Sequence, residues 1–224
     1  MSALDPQHNL WNTALRIAPI LYIDRLEPFL PVRVGLTIMA EPGPSPSFDR
    51  VIDFEPEQVA LVIEYAIYWD YDIQHIYDLE HVWIYLNHRG EIANCEASFH
   101  GQYHDGLLRD RSNLTEDGRV KLFVQPGKHA MSPLEENLRL LPNAVSCCQE
   151  EAGKDGVLEN EMFRGQFKFG EQVDQLAEAH LRTFCFRPSF DYVPYTWADD
   201  TFVPWEELRS EIPARLKALL AELS

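Results

Sequence analysis

From Val59 to Trp69 the chain carries apolar side chains on both alternating sides of an extended backbone, interrupted only by Glu64. Val59, Leu61, Ile63, Tyr65, Ile67 and Trp69 would line one face, and Ala60, Val62, Glu64, Ala66 and Tyr68 the other. A helix starting after Pro56 could hold the same residues. However, β-branched and aromatic side chains lose rotamer freedom against a helical turn and pack well on a pleated surface. The spacing therefore predicts a strand buried on both faces. An aromatic content of 12% points the same way, toward strands and a broad core between sheets.

The flanking segments extend that reading. Leu79–Asn87 reads as a strand ended by the turn His88-Arg89-Gly90, and Ile92–His100 as its hairpin partner. Residues 20–40 alternate short apolar runs with Pro28 and Pro31, which suits edge strands because proline cannot donate to a central ladder. Val120–Gln125 is a further short strand stopped by Pro126-Gly127. Later the period changes. Pro133–Leu141, Glu171–Thr183 and Pro204–Leu223 read as helices, the last with an apolar stripe of Leu208, Ile212, Leu216, Leu219 and Leu220. Strands first and helices later predict a mainly β or α+β fold. We expect one β-sandwich domain spanning residues 1–224, decorated with peripheral helices in its C-terminal third and ending on a C-terminal helix.

A net charge of −17 argues against binding a phosphate backbone, which needs a basic stripe to displace counterions. It argues equally against electrostatic adhesion to anionic membranes. No stretch approaches the length of apolar chain needed to span a bilayer, and Met1–Trp11 shows neither the basic start nor the apolar run of a signal peptide. Cys95, Cys147, Cys148 and Cys185 include a vicinal pair and no CxxC spacing, a pattern most simply explained by a reducing compartment. These features lead us to expect an acidic, soluble, cytoplasmic protein.

The chemistry concentrates between the two strongest strands. Asp70, Asp72, Asp78 and Glu80, with His75 and His81, fall within twelve positions among apolar neighbours. On a strand, Asp78 and Glu80 share a face about 6.6–7 Å apart at Cα, close enough to converge on one ion. Asp70 and Asp72 repeat that spacing, and His75 falls in the connecting segment. Clustered carboxylates repel unless a proton or a cation is shared between them. Mg²⁺, Mn²⁺ or Ca²⁺ suits such oxygen-rich ligands, and zinc, which prefers an imidazole or thiolate majority, suits them less. The hairpin would return His100 to the neighbourhood of Asp78, and His129 follows a strand end near the same rim. No GxSxG, P-loop, GxGxxG or HExxH pattern competes with this reading.

His75-Ile-Tyr-Asp78-Leu-Glu80-His81-Val82 resembles the metal-binding heptapeptide Gly-His-Arg-His-Asp-Trp-Glu, followed by His-Val, of the necrosis- and ethylene-inducing peptide-like proteins. The first histidine, the aspartate, the glutamate and the trailing His-Val keep their spacing; Gln74, Tyr77 and Leu79 depart from it. Tyr65–Asp72 resembles the family's aromatic strand that ends on a metal-ligating aspartate. Ser98-Phe99-His100, Lys128-His129-Ala130 and Trp205-Glu206-Glu207-Leu208 resemble further family steps in the same order. Ala18–Leu21 and Glu27–Pro31 are similar to plant vacuolar-sorting-like relatives of that β-sandwich superfamily. The resemblance implies a β-sandwich with peripheral helices and one divalent ion in a cavity lined by two aspartates, a histidine and a glutamate. By position the ligands are His75, Asp78 and Glu80 with either Asp72 or Asp70, Asp72 being nearer the turn. The family is secreted and cytolytic through sphingolipid head-group glycans, a role at odds with the missing export signal here.

The expected function is binding of a polar ligand, a sugar or phosphorylated head group, through that ion, with His100 and His129 meeting the ligand. One alternative is a metal-dependent hydrolase, in which the metal lowers the pKa of water and His100 or His81 manages the proton. A second is a purely structural ion, with function on a protein partner surface. The oligomeric state has no signature in the sequence.

Overall fold

The apolar run beginning at Val59 forms the long central strand expected of it, from Leu61 to Tyr71. The computed structural model describes residues 6–158, 161–166, 170–198 and 200–223. Residues 1–5 of the amino-terminal stretch therefore lie outside the described residues. In chain order the elements are α1 (Pro6–Ile17), β1 (Ile20–Asp24), β2 (Arg33–Met39), β3 (Gly43–Pro44), β4 (Val51–Ile52), β5 (Leu61–Tyr71) and β6 (His75–Leu86). Then come β7 (Ile92–Phe99), β8 (Gln102–Asp105), β9 (Lys121–Val124), β10 (Met131–Ser132) and α2 (Glu135–Arg139). The chain ends with β11 (Gly156–Val157), α3 (Glu171–Arg182), β12 (Tyr192–Pro194), β13 (Phe202–Pro204) and α4 (Trp205–Glu222).

Two main sheets form the expected helix-decorated sandwich. The larger runs β13-β2-β5-β6-β7-β8, with β11 paired in parallel to the first residues of β6; the smaller runs β10-β9-β1-β12. Between them lies one apolar core that draws Val82, Ile84 and Leu86 from β6, Leu21 and Ile23 from β1, and Leu122 and Val124 from β9. The intervening residues of β6, Trp83 and Tyr85, point outward. They join Ile52 and Val62 in a smaller cluster beneath the β3–β4 hairpin. Period-2 alternation thus gives β5 and β6 two buried faces, which is why their sequences read as nearly continuous apolar runs.

The helices cover what the sheets leave bare. α4 buries Trp205, Leu208, Ile212 and Leu216, and it lies so close to β2 that a Cβ at Gly35 would stand 2.8 Å from a Trp205 ring atom. α1, for which the sequence reading set no element, is tied to β5 by the Tyr65 hydroxyl donating to the Ala14 carbonyl at 2.8 Å. Among the described residues no helix is long and apolar enough to cross a membrane. The four cysteines are free thiols.

Two boundaries differ from expectation, the first in a way that matters for the site. β6 starts at His75, not Leu79, so His75 belongs to the strand and the connection shrinks to a tight turn over 72–74. Asp72 closes that turn: its amide donates to the His75 carbonyl at 2.9 Å, and its Oδ1 accepts the Gln74 amide at 2.6 Å. The helix expected over Pro133–Leu141 is only Glu135–Arg139.

Candidate metal centre

Asp72, His75, Asp78, Glu80, His81, His100 and Lys128 all line one cleft of about 1050 Å³ at the β5–β6 turn. The register of β5 and β6 sets Trp69 opposite Asp78 and Ile67 opposite Glu80. Between His75 and Asp78 the strand is deformed at Tyr77, whose φ is +54°. A bulky residue with positive φ is strained. His100 (φ +50°) and His129 (φ +59°) share the left-handed conformation; of the five such non-glycine residues described, His100 lines the cleft, and Tyr77 and His129 contact His75 and Asp78, which line it. Strain of this kind persists only where surrounding contacts over-determine it, and it clusters at functional sites.

Asp72 is almost fully buried, yet both of its carboxylate oxygens face nitrogen-bearing side chains. The Lys128 ammonium lies 2.9 Å from Oδ1 and 2.8 Å from Oδ2, and the His75 Nε2 lies 3.5 Å from Oδ2. The other nitrogen of His75, Nδ1, is 2.8 Å from the Tyr77 carbonyl. That contact occupies Nδ1 as a donor and directs Nε2 into the cleft, the arrangement by which ligating histidines are oriented.

Asp78 depends on a loop fifty residues away. His129 brings Nδ1 to 3.1 Å from Asp78 Oδ2 and lies flat on the Trp69 ring, with centroids 4.5 Å apart and an angle of 4° between planes. On its far side Nε2 stands 3.8 Å from Glu27 Oε1, an ion-pair distance but too long for a hydrogen bond. Burial disfavours a charged ring, but the two carboxylates outweigh it and raise His129 to about 10, so it is an imidazolium at neutral pH. For Asp78, burial pulls upward and His129, then His75 and Lys128, pull further downward, leaving the carboxylate below its usual range. Glu80 behaves oppositely. Burial, reinforced by the Asp78 charge, pushes it up to about 8 despite the hydroxyl of Ser98 donating to Oε2.

The loop carrying Lys128 and His129 is shaped by Gly127, at φ +70°, where a Cβ would meet Ile73 Cγ2 at 2.7 Å and Cys148 Sγ at 2.8 Å. Only glycine admits that approach. One wall of the cleft comes from Ser45–Asp49 in the β3–β4 hairpin, anchored by Ser45 and Ser47 hydroxyls on Glu64 at 2.5 and 2.6 Å.

The remaining residues singled out from sequence fall as follows. Asp70 faces away and is held by Arg215 at 3.1 and 2.9 Å, so it does not line the cleft. His100 lines the rim with Nε2 2.8 Å from Gln125 Oε1. His81 has no hydrogen-bond partner for either ring nitrogen among the described residues, and burial lowers it to about 4. His129 is fully buried beneath Asp78 and does not reach the cleft surface. Lys128 and Glu27 were not singled out. The Gln125-Pro126-Gly127 turn was the one signal that the segment after β9 bends back sharply.

The donor set fits a hard divalent cation. Carboxylate oxygens of Asp72 and Asp78 lie within 4.8 Å of each other and of a His129 ring nitrogen, which is turned to Asp78; His75 and Glu80 line the same cleft but do not join that close group. Because His129 Nδ1 is engaged by Asp78, His75 is the better oriented imidazole for such an ion.

No family model matches the chain, and no curated protein matches it. Among solved structures it is similar to NLPPya in complex with glucosamine, at 19% identity over 54% of this chain and a TM-score of 0.37. It is also similar to Necrosis and Ethylene inducing Protein 2 from the causal agent of cocoa's Witches Broom disease, at 20% identity over 58% of this chain and a TM-score of 0.36. A complex of NLPPya with mannosamine gives 19% identity and a TM-score of 0.35. The match spans 64% of the first of these proteins.

Proposed function

We propose that the cleft holds one divalent cation between Asp72 and Asp78, completed by His75 and Glu80, and binds a polar ligand such as a sugar or a phosphorylated head group. The observation that carries this reading is the approach of the Asp72 and Asp78 carboxylates to within 4.8 Å of each other in an open cleft, with His75 Nε2 3.5 Å from Asp72 and Glu80 lining the same cleft. A cation bound there supplies a centre for hydroxyl or phosphoryl oxygens of the ligand. The protein supplies the rest: Tyr77 fixes His75, His129 holds Asp78 in place, and Ser98 fixes the Glu80 oxygen. At about 1050 Å³ the cleft lies just above the 300–1,000 Å³ typical of small-molecule sites, with room for a monosaccharide-sized ligand.

Binding is favoured over hydrolysis by the state of His81 and His100, two histidines that line the cleft. His81 is lowered to about 4 and is a weak base, and His100 is lowered by burial and engaged by Gln125. A purely structural ion would be enclosed by protein, whereas Asp78 is half-buried and opens into the cleft.

Titration calorimetry of the full chain with Mn²⁺, Mg²⁺ and Ca²⁺ tests the reading. We expect saturable binding of one ion that is lost in Asp78→Asn, and binding of amino sugars or sugar phosphates only when the ion is present. Absence of binding by all three ions would overturn it, and turnover of phosphate esters or glycosides would replace the binder with a hydrolase.

A further inference from the structure

The Asp72 carboxylate is 1% exposed and already has a cation: the Lys128 ammonium, itself 9% exposed, touches both of its oxygens. An unpaired charge buried to this degree is strongly destabilising. The folded chain therefore needs a positive group at this spot whether or not an ion is bound. A divalent ion ligated by Asp72 at about 2.0–2.6 Å would lie within a few ångströms of the ammonium, which touches both of its oxygens. Two cations a few ångströms apart repel strongly in a weakly screened site. The loop backbone around Lys128 is pinned by Gly127, by His129 stacked on Trp69, and by amides of Lys128 and His129 on the Gln125 carbonyl at 3.2 and 2.9 Å. The four-carbon stem of Lys128 has the rotatable bonds that the pinned backbone lacks, and the side chain borders the open cleft.

Resting on the reading of the cleft as a cation site, we infer that Lys128 is a tethered competitor for the ion: it neutralises Asp72 in the metal-free protein and leaves it when the metal enters. The consequence is a site whose fold does not depend on metal and whose affinity is set low by an exchange of cations. Loading then turns a buried ammonium outward into the cleft, where it adds a positive charge beside the ligand.

The test compares wild type with Lys128→Met, using Mn²⁺ alone as probe. Wild type melts at the same temperature with and without chelator. Lys128→Met loses melting temperature in chelator, regains it in excess Mn²⁺, and binds Mn²⁺ about tenfold or more tightly than wild type. A variant that binds Mn²⁺ no more tightly than wild type, and is no more sensitive to chelator, overturns the inference while leaving the cation site standing. Failure of both proteins to bind Mn²⁺ overturns the cation site itself, and this inference with it. Should Lys128→Met not fold, reductive methylation of wild type followed by peptide mass spectrometry gives the same answer. Lys128 is protected in chelator and labelled several-fold faster in Mn²⁺ if the ammonium is displaced, and equally protected in both if it is not.

Discussion

Glu64 shows at the scale of one residue how a buried charge can shape a functional wall. It is fully buried on the outward face of β5, where it accepts from Ser45, from Ser47 and, at 2.7 Å, from the Trp83 indole. Above it the Arg50 guanidinium lies 3.5 Å from the Tyr103 ring centroid and 4.5 Å from that of Trp83, and pairs with Glu96 at 2.8 Å. Glu64→Ala strands three donors at once. We expect a loss of about 3 kcal/mol in chemical denaturation and, because Ser45–Asp49 form a wall of the cleft, a weaker ligand affinity. Unchanged stability would mean that water replaces the carboxylate. In the sequence Glu64 was visible as the lone charge in an apolar run, but its partners were not, since the serines lie seventeen and nineteen residues away. Tyr77 was equally opaque: glycine, and less strongly asparagine or aspartate, announce a left-handed backbone, and a tyrosine does not.

At the scale of elements, the Gln125–Ala130 turn decides whether the site exists. It closes on itself through the Gln125 amide donating to the Ala130 carbonyl at 2.7 Å, and it delivers Lys128 to Asp72 and His129 to Asp78. Gly127→Ala would drive a methyl into Ile73 and Cys148 at a positive φ. The expected cost is roughly 2–4 kcal/mol, read from denaturation midpoints, with cation binding impaired beyond what the loss of fold explains. A stable variant with wild-type ion affinity would contradict the role given to this loop. The β6–β7 hairpin was legible because it is local: alternation and the Asn87–Gly90 turn suffice to pair Val82 with Ala97 and Tyr85 with Asn94, whereas the β5–β6 turn, with its largely polar residues 70–75, hid the first four residues of β6. What brings β9 and its turn beside β6 is long-range packing between sheets, which no periodicity records. The same limit explains why Asp70 and Asp72 could not be separated from sequence. Only the partner of each distinguishes them, Arg215 from α4 for one and Lys128 for the other.

At the scale of the whole molecule, two opposed sheets and a tight hairpin place an acidic cleft on a chain whose net charge is −17. Such a field raises the local concentration of cations and is screened by salt over about 10 Å at 0.1 M. Divalent-ion affinity should therefore fall as ionic strength rises from 10 mM to 150 mM, by an amount that titration at the two salt concentrations would measure; an affinity independent of salt would confine the attraction to the immediate ligands. The central claim concerns position, and position is best read directly. In a crystal of the protein soaked with Mn²⁺, an anomalous difference map should show a single peak bounded by Asp72, His75, Asp78 and Glu80, with the Lys128 side chain turned away from Asp72. A map with no peak in that cleft, Lys128 still seated on Asp72, would contradict the account.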